Sequence, residues 1–198
     1  MAELLADRIE HMPRYFAFLR AINVGGHTVK MEVLRQHFEA LGLTRVETFI
    51  ASGNVIFETA ARNTAALEKK IAARLHTLLG YEVATFIRTG AELTRLTAYQ
   101  PFPPAILKTA AALNIAFLAQ PPEAQATRRL MALQTEMDDF ALHGREVYWL
   151  CRKKQSESTF SNALLEKTLG QPATLRGINT VNKLAAKYTA VGHAPDPT

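Results

Sequence analysis

The order of short apolar runs and helical stripes constrains this chain more than any other feature of its sequence. Runs rich in β-branched and aromatic residues predict strands. Apolar residues spaced three or four positions apart predict helices. Between residues 13 and 88 the two patterns follow the order β-α-β-β-α-β. That order predicts an α+β fold whose first part is a ferredoxin-like, split βαβ subdomain.

The individual signals in this first part are local. Tyr15 to Leu19 is a continuous apolar run, which is typical of a strand buried on both faces. Residues 31–41 carry a helical stripe that Gly42 ends. Residues 46–58 read as a hairpin around the turn at 51–54, and a second helix starts at Asn63 or Thr64. Residues 81–87 predict the next strand.

The predicted topology has a consequence for two loops. In a split βαβ arrangement the third strand pairs beside the first. The loop after the first strand, Arg20–Gly26, and the hairpin turn Ser52–Asn54 therefore belong at the same end of the sheet. We expect them to be neighbours, although they lie some thirty residues apart in sequence.

The second half of the chain reads β-α-β-β-α-α and loosely echoes the first. A capping box at Thr89–Glu92 starts a helix, and the proline-rich stretch 99–104 breaks it. We predict the domain boundary there. The predicted parts are an N-terminal extension, a ferredoxin-like subdomain, a smaller second α+β subdomain with C-terminal helices, and a tail: residues 1–12, 13–100, 105–192 and 193–198.

Composition excludes several classes of protein. The chain of 198 residues is 48% hydrophobic and 21% charged. It can therefore bury a core and is not predicted to be disordered. No apolar run approaches the ~20 residues that a membrane helix needs. The first eleven residues lack the features of a secretory signal. The single cysteine, Cys151, excludes an internal disulfide framework, which favours a reducing compartment and hence the cytoplasm.

The first polar patch combines the two loops that the topology brings together. Asn and Gly tolerate the backbone conformations of a sharp turn, and successive N–H groups in such a turn can bind an anion. The following helix adds its positive N-terminal end. The alternative is that these residues only build tight connections. The patch consists of Arg20, Asn23, Gly25, Gly26, Lys30, Ser52, Gly53 and Asn54.

A second polar patch lies at the predicted start of the last helix, near Asn179. Its alternative interpretation is a helix cap at Asn179 or Thr180 with basic residues in solvent. Because a helix start offers free N–H donors, we expect this patch to face the first one across an anion-binding pocket. Its members are Arg176, Asn179, Thr180 and Lys183, with Lys167 nearby.

Three stretches resemble the bacterial family catalogued as domain of unknown function 1697. They are Leu-Arg-Ala-Ile-Asn-Val-Gly-Gly at 19–26, Thr-Phe-Ile-Ala-Ser-Gly-Asn-Val-Ile-Phe at 48–57, and residues 165–170 running on to 174–184. The resemblance extends over residues 13 to about 190 and implies a two-part α+β protein with a ferredoxin-like first part. Gly177-Ile178 stands where the family usually has Asn-Trp, so a ligand that stacked on the tryptophan would lose that contact here. The family carries no agreed activity.

The sequence contains few features typical of catalytic or cofactor sites. The six histidines show no paired metal-ligand spacing. The sequence contains no Gly-x-Ser-x-Gly elbow and no P-loop. Ser52 has no predicted base beside it, and Asp138-Asp139 leads into a hairpin. We therefore predict no metal and no cofactor, and the sequence leaves open whether the protein is an enzyme.

Two functions compete. The first is binding of a small anionic ligand, a phosphorylated metabolite or nucleotide, in a polar pocket between the two subdomains. The second is binding of single-stranded RNA or DNA, because the net charge is +5 and RNA-recognition domains share the βαββαβ order. Tyr15, Phe16 and Phe18 offer aromatic rings on the first strand, but the third strand offers only Phe57, so this function ranks second. The oligomeric state is not predicted.

Overall fold

A computed structural model describes residues 12–23, 28–50 and 53–189 of the chain. The chain divides into two compact units, Met1–Leu93 and Thr94–Thr198. Together their described residues form two antiparallel four-stranded sheets and seven α-helices, so the predicted α+β class is confirmed. The predicted N-terminal extension, apart from Met12, and the tail lie outside the described residues.

The described residues of the first unit form four strands and two helices in the predicted order. The third helix starts in this unit, directly after the fourth strand. The elements are β1 (Arg14–Leu19), α1 (Met31–Glu39), β2 (Thr44–Thr48), β3 (Asn54–Glu58), α2 (Thr64–Leu79), β4 (Thr85–Thr89) and α3 (Gly90–Ala98). The fourth strand begins later than predicted, at Thr85. In the connection before it, Val83 is buried and the Tyr81 hydroxyl donates to Ile22 O at 3.0 Å.

The sheet of the first unit has the order β2-β3-β1-β4. Strand β1 pairs antiparallel with β3 on one side, with Ala17 opposite Val55, and with β4 on the other. The prediction that the third strand lies beside the first is therefore confirmed. This pairing places the end of β1 next to the start of β3.

One face of this sheet packs on α1 and α2. Tyr15, Ala17 and Leu19 alternate along β1 toward this core, as the period of a strand requires. Leu34 and Phe38 on α1, and Ile71 and Leu75 on α2, cover them. The helical stripes read from the sequence thus become the contacts between helices and sheet.

Three of the predicted helix ends of this unit match the structure, whereas α1 ends at Glu39 with Ala40 as its C-cap, before the predicted end at Gly42. Asn63 caps α2, because its Oδ1 accepts from Ala66 N at 3.0 Å. Gly80 ends α2 in the left-handed conformation. Thr89 and Glu92 form the predicted capping box at the start of α3. Thr89 N donates to Glu92 Oε2 at 2.8 Å, and Glu92 N donates to Thr89 Oγ1 at 3.1 Å.

Among its described residues, the second unit contains the end of α3 and a further set of four strands and four α-helices. These elements are α4 (Pro104–Leu107), β5 (Ala112–Leu118), α5 (Ala124–Met131), β6 (Asp138–His143), β7 (Glu146–Cys151), α6 (Asn162–Leu169), β8 (Ala173–Gly177) and α7 (Ile178–Tyr188). A 3₁₀ turn at Gln155–Glu157 precedes α6.

The sheet of the second unit has the order β6-β7-β5-β8, and all its pairs are antiparallel. The order of elements is therefore β-α-β-β-α-β followed by a helix, rather than the predicted β-α-β-β-α-α. The sequence interpretation missed β8. Its five residues contain one polar, one basic and one glycine position, so they lack the apolar run that marks the other strands.

The core of the second unit lies between its sheet and helices α5 and α6. Trp149 and Cys151 on β7 face Leu130 of α5 and Leu165 of α6. Asp138, predicted only to lead into a hairpin, is 3% exposed on β6. Its carboxylate accepts from Trp149 Nε1 and from Ser158 Oγ, both at 2.7 Å, so it has a structural role in this core.

Candidate functional site

Five residues of the first predicted patch lie in the described part of the first unit. They are Arg20, Asn23, Lys30, Gly53 and Asn54, whereas Gly25, Gly26 and Ser52 lie outside the described residues. The backbone brings the two loops together, because Leu19 N donates to Gly53 O at 2.8 Å. The topology argument thus placed these segments correctly.

Gly53 sits at the closest approach of the two segments. Its φ is +72°, a region that favours glycine. A Cβ built on it would lie 2.6 Å from Ile22 Cγ2 and 3.1 Å from Leu19 Cβ, so a side chain does not fit there. Gly53 is therefore required by packing whether or not a ligand binds nearby.

Two asparagines of this patch also hold the backbone. Asn23 Oδ1 accepts from Val29 N at 2.8 Å and so spans the base of the loop. Asn54 is 1% exposed, and its Nδ2 donates to Phe49 O at 3.0 Å across the hairpin. These contacts support the turn-building interpretation for both residues.

The two basic residues of the first patch occupy different settings. Arg20 is half-buried after β1, and its backbone N–H donates to Ala84 O at 2.8 Å. Lys30 is exposed immediately before α1 and makes no side-chain cap. In the described part of this patch the basic side chains thus offer charge, but the asparagine side chains hydrogen-bond to the protein backbone.

In the second patch, Arg176 lies in a strand rather than at a helix start. It is 8% exposed on β8, and its Nη1 donates to Thr174 Oγ1 and to Leu175 O, both at 2.8 Å. Burial lowers the pKa of Arg176 to about 10, so the guanidinium still carries its charge at neutral pH.

The other members of the second patch lie on the first turns of α7. Asn179 and Lys183 are exposed, and Thr180 is half-buried. Gly177 occupies the N-cap position with no side-chain cap, so the interpretation of Asn179 or Thr180 as the cap is wrong. Lys167 is exposed near the end of α6. The expectation that this patch faces the first one stays a prediction.

A groove of about 410 Å³ opens beside the start of α7, entirely within the second unit. Its wall is formed by the segment that leads into β5, the first residues of β5, and the junction of β8 with α7. The lining residues are Leu107, Ala110, Ala111, Ala112, Leu113, Asn114, Gly177, Ile178 and Asn179. Asn179 is the one predicted site residue that lines this groove.

Asn114 is the polar residue of this groove that sequence reasoning missed. It is 7% exposed, and its Nδ2 is buried without a hydrogen-bond partner among the described residues. Its neighbour across the sheet is Gly177. Buried amides are normally paired, so this donor is an exception in the fold. Because the Nδ2 atom itself is buried, a ligand in the groove does not reach it. The available signal was a lone asparagine within the apolar run Ala112–Leu118.

Two other kinds of site find no support in the described residues. The rings of Tyr15, Phe16, Phe18 and Phe57 are at most 3% exposed, so they offer no surface on which bases could stack. Within residues 12–23, 28–50 and 53–189, no group of three or more His, Cys, Asp or Glu side chains could hold a metal ion. In the same ranges, no helix combines the length and apolar character needed to cross a membrane.

Comparison with known proteins identifies the family. The sequence profile of DUF1697, described as a protein of unknown function, matches residues 12–148. The chain belongs to the DUF1697 family. The match includes the whole of the first unit except its first residues and reaches β7 of the second, so β8 and α7 lie beyond it.

A solved structure supports the fold. The conserved bacterial protein SP0830 from Streptococcus pneumoniae aligns with 89% of this chain and 98% of its own, at 23% sequence identity and a TM-score of 0.70. That likeness shows the fold of this DUF1697 member and extends past the profile match. No curated protein matches the chain.

Proposed function

We propose that this protein binds a small anionic ligand at the start of α7 in its second unit. The observation that carries the proposal is the junction of β8 and α7, where an N-terminal helix end without a side-chain cap lines a groove. The first N–H groups of a helix lack partners within the helix, and the helix dipole makes this end positive. Such an end is suited to an anion.

The charges around this junction support the same ligand class. Lys183 is exposed on the second turn of α7, and Arg176 immediately precedes the N-cap residue. The whole chain carries a net charge of +5. No acidic residue lines the groove.

A thermal-shift screen tests the proposal. Its compounds are nucleotides, sugar phosphates, inorganic phosphate, small carboxylates and short single-stranded oligonucleotides. A ligand present at 100 times its Kd adds about 2.7 kcal/mol to the free energy of unfolding, which is easily seen as a rise in Tm. The proposal expects at least one small anion to raise Tm. If no small anion does so at millimolar concentration, anion binding is excluded.

A pair of variants locates the site. Asn179→Asp places a negative charge in the first turn of α7, where the helix dipole favours it by roughly 0.3–1 kcal/mol but where it repels an anionic ligand. Asn182→Asp makes the same change at an exposed position further along the helix. We expect the Tm shift to be lost in Asn179→Asp and retained in Asn182→Asp. Equal shifts in both variants would place the anion elsewhere.

Nucleic-acid binding remains the second function. It would appear in the same screen as a Tm rise with oligonucleotides that weakens steeply with salt. Filter binding at low salt provides the independent measurement. No retention of single-stranded RNA or DNA at micromolar protein would remove this function, because even non-specific contacts should register there.

A further inference from the structure

A groove of about 330 Å³ lies along the start of α2, entirely within the first unit. One side is the connection between α1 and β2, and the other is the first two turns of α2. Its apolar wall is formed by Leu41, Leu43 and Leu67, together with the exposed Ala61 and Ala66. A surface groove of this kind is suited to the apolar face of an amphipathic helix.

The groove is positive as well as apolar. Arg62 and Lys70 line it, and both are exposed. None of the nine described residues in its lining is acidic. The first turn of α2 carries no acidic side chain either, so the positive end of the helix dipole adds to this charge. An apolar segment with a net negative charge would therefore fit the groove.

Residues 1–11, which lie outside the described residues, have a sequence of that composition. Met1, Leu5 and Ile9 are spaced four positions apart, which places them on one face of a helix. Pro13 disfavours a helical conformation at the residue before it, so the predicted helix ends there. The acidic residues fall on the opposite face at helical spacing: Glu3, Asp7 and Glu10. These three and Arg8 give the side chains of the segment a net charge of −2 with histidine neutral.

We propose that residues 1–11 form an amphipathic helix that docks in this groove of the same chain. The apolar face packs against the leucines and alanines of the wall. The acidic face points to solvent, but a helix is only about 10 Å across. Its carboxylates therefore stay within about one Debye length of Arg62 and Lys70 and are attracted by them.

The described chain begins at the rim of the groove. Thr59 N donates to Pro13 O at 3.3 Å, and the Tyr15 hydroxyl donates to Ala61 O at 2.8 Å. Thr59 and Ala61 both line the groove. These bonds fix the residues that directly follow the segment, so the segment is tethered beside its docking place.

The length of the segment matches the groove. Between Asn63 and Lys70 α2 rises about 10 Å, and a helix of eleven residues is about 16 Å long. A short tether gives an effective concentration of about 1 mM, so even a weak contact is populated. A helix of this length is only marginally stable by itself in water. Helix formation and docking should therefore occur together.

The experiment measures hydrogen–deuterium exchange of residues 5–11 in the full chain, with a matched pair of variants in α2. Ala66→Glu places bulk and negative charge in the groove, whereas Ala65→Glu makes the same change at the exposed neighbour outside the lining. Both positions are in the first turn of α2, where the helix dipole favours an acidic residue, so both variants should fold. We expect exchange to be about tenfold faster in Ala66→Glu and within about twofold of the unmodified chain in Ala65→Glu. Equal exchange in the two variants would show that this groove is not the docking place.

A second variant tests the segment itself. Leu5→Ser combined with Ile9→Ser removes the apolar face without altering any described residue. It should lose the same protection and shift the ¹H–¹⁵N signals of residues 61–70. A synthetic peptide of residues 1–11 should reverse those shifts in this variant, whereas a peptide with the same two serines should not.

Two further outcomes would overturn the proposal. If residues 5–11 of the unmodified chain exchange as fast as the free peptide, the segment does not dock. If their protection falls when the protein is diluted, the segment docks on a second copy of the chain, and the intramolecular contact is wrong.

Discussion

The two units repeat one arrangement of strands. The sheet orders β2-β3-β1-β4 and β6-β7-β5-β8 are equivalent, and Ala17 of β1 corresponds in register to Ala116 of β5. The backbone bond from Leu19 N to Gly53 O has its counterpart in the bond from Leu118 N to Arg145 O at 3.0 Å. The equivalence therefore extends to the ends of the strands.

The difference between the units lies where the last strand enters a helix. In the first unit, Thr89 forms a capping box, and Tyr15 beside it donates its hydroxyl to Ala61 O at 2.8 Å. In the second unit the corresponding residues are Gly177 and Asn114, with no cap and an unpaired amide. The same position is closed by the protein's own groups in one unit and left open in the other, which is why we place the ligand in the second.

The largest expected effect concerns a buried arginine that occupies the same position in the last strand of each unit. Arg88 and Arg176 occupy corresponding positions, and each donates to the carbonyl before it, at 2.9 Å from Arg88 to Ile87 O and 2.8 Å from Arg176 to Leu175 O. Replacing either by alanine leaves a cavity and unpaired acceptors. We expect each change to cost about 3–5 kcal/mol in urea unfolding.

The exposed Arg128 of α5 provides the control. Arg128→Ala should change the free energy of unfolding by no more than about 0.5 kcal/mol. Fluorescence of Trp149, the single tryptophan, reports on the second unit, and circular dichroism reports on both. A cost below about 1 kcal/mol at only one of the two arginines would show that their roles differ.

The hairpin turns provide the next comparison, because each contains a glycine at positive φ. Gly53 has φ +72° and two close contacts, whereas Gly144 has φ +59° and only Glu146 Oε2 at 3.6 Å. Gly144→Ala should cost about 1–2 kcal/mol for the backbone alone. Gly53→Ala should cost about 3 kcal/mol, because overpacking adds to the backbone cost. Equal midpoints of thermal unfolding for the two variants would contradict the close approach at Gly53.

A smaller effect on stability is expected when the cap of α3 is removed or when a cap is added to α7. Thr89→Ala should lower the free energy of unfolding by about 1 kcal/mol, since the capping box loses its hydroxyl. Gly177→Ser adds a cap to α7 and should stabilise it by a few tenths of a kcal/mol. The added hydroxyl competes for the N–H groups, so the rise in Tm that a small anion produces should shrink in Gly177→Ser and stay unchanged in Thr89→Ala. The reverse pattern in the thermal-shift screen would place the ligand in the first unit.

The smallest expected effect is a pH dependence of the stability of the first unit, caused by His37 on α1. Burial lowers the pKa of His37, and the nearby charge of Arg74 adds to this shift. The unfolded state, with a pKa of about 6.5, then binds a proton at a pH where the folded state does not. Stability should therefore be complete above about pH 6.5 and fall as the pH drops below it. His37→Gln should flatten this fall in Tm measured between pH 7.5 and 5; an unchanged slope would contradict the assignment.

Much of the first unit could be predicted from local pattern. Asn63, the Thr89–Glu92 box and Gly80 are helix ends that act through their own backbone, so sequence spacing identifies them. The pairing of β1 with β3 followed from the order of elements. The site was harder to predict: Asn23, Gly53 and Asn54 fit both turn building and anion binding, because the two use the same residue types.

The sequence by itself determined most of the elements, most of their ends and the neighbours in the first sheet, because periodicity, caps and turns act over a few residues. Only the tertiary structure showed that residues 173–177 complete a second sheet, since a short polar strand is stabilised by its partner β5 rather than by its own pattern. The same pairing places Asn114 beside Gly177, sixty-three positions later in the sequence. Whether a buried amide finds a partner depends on such distant neighbours, so no local pattern could have identified the groove.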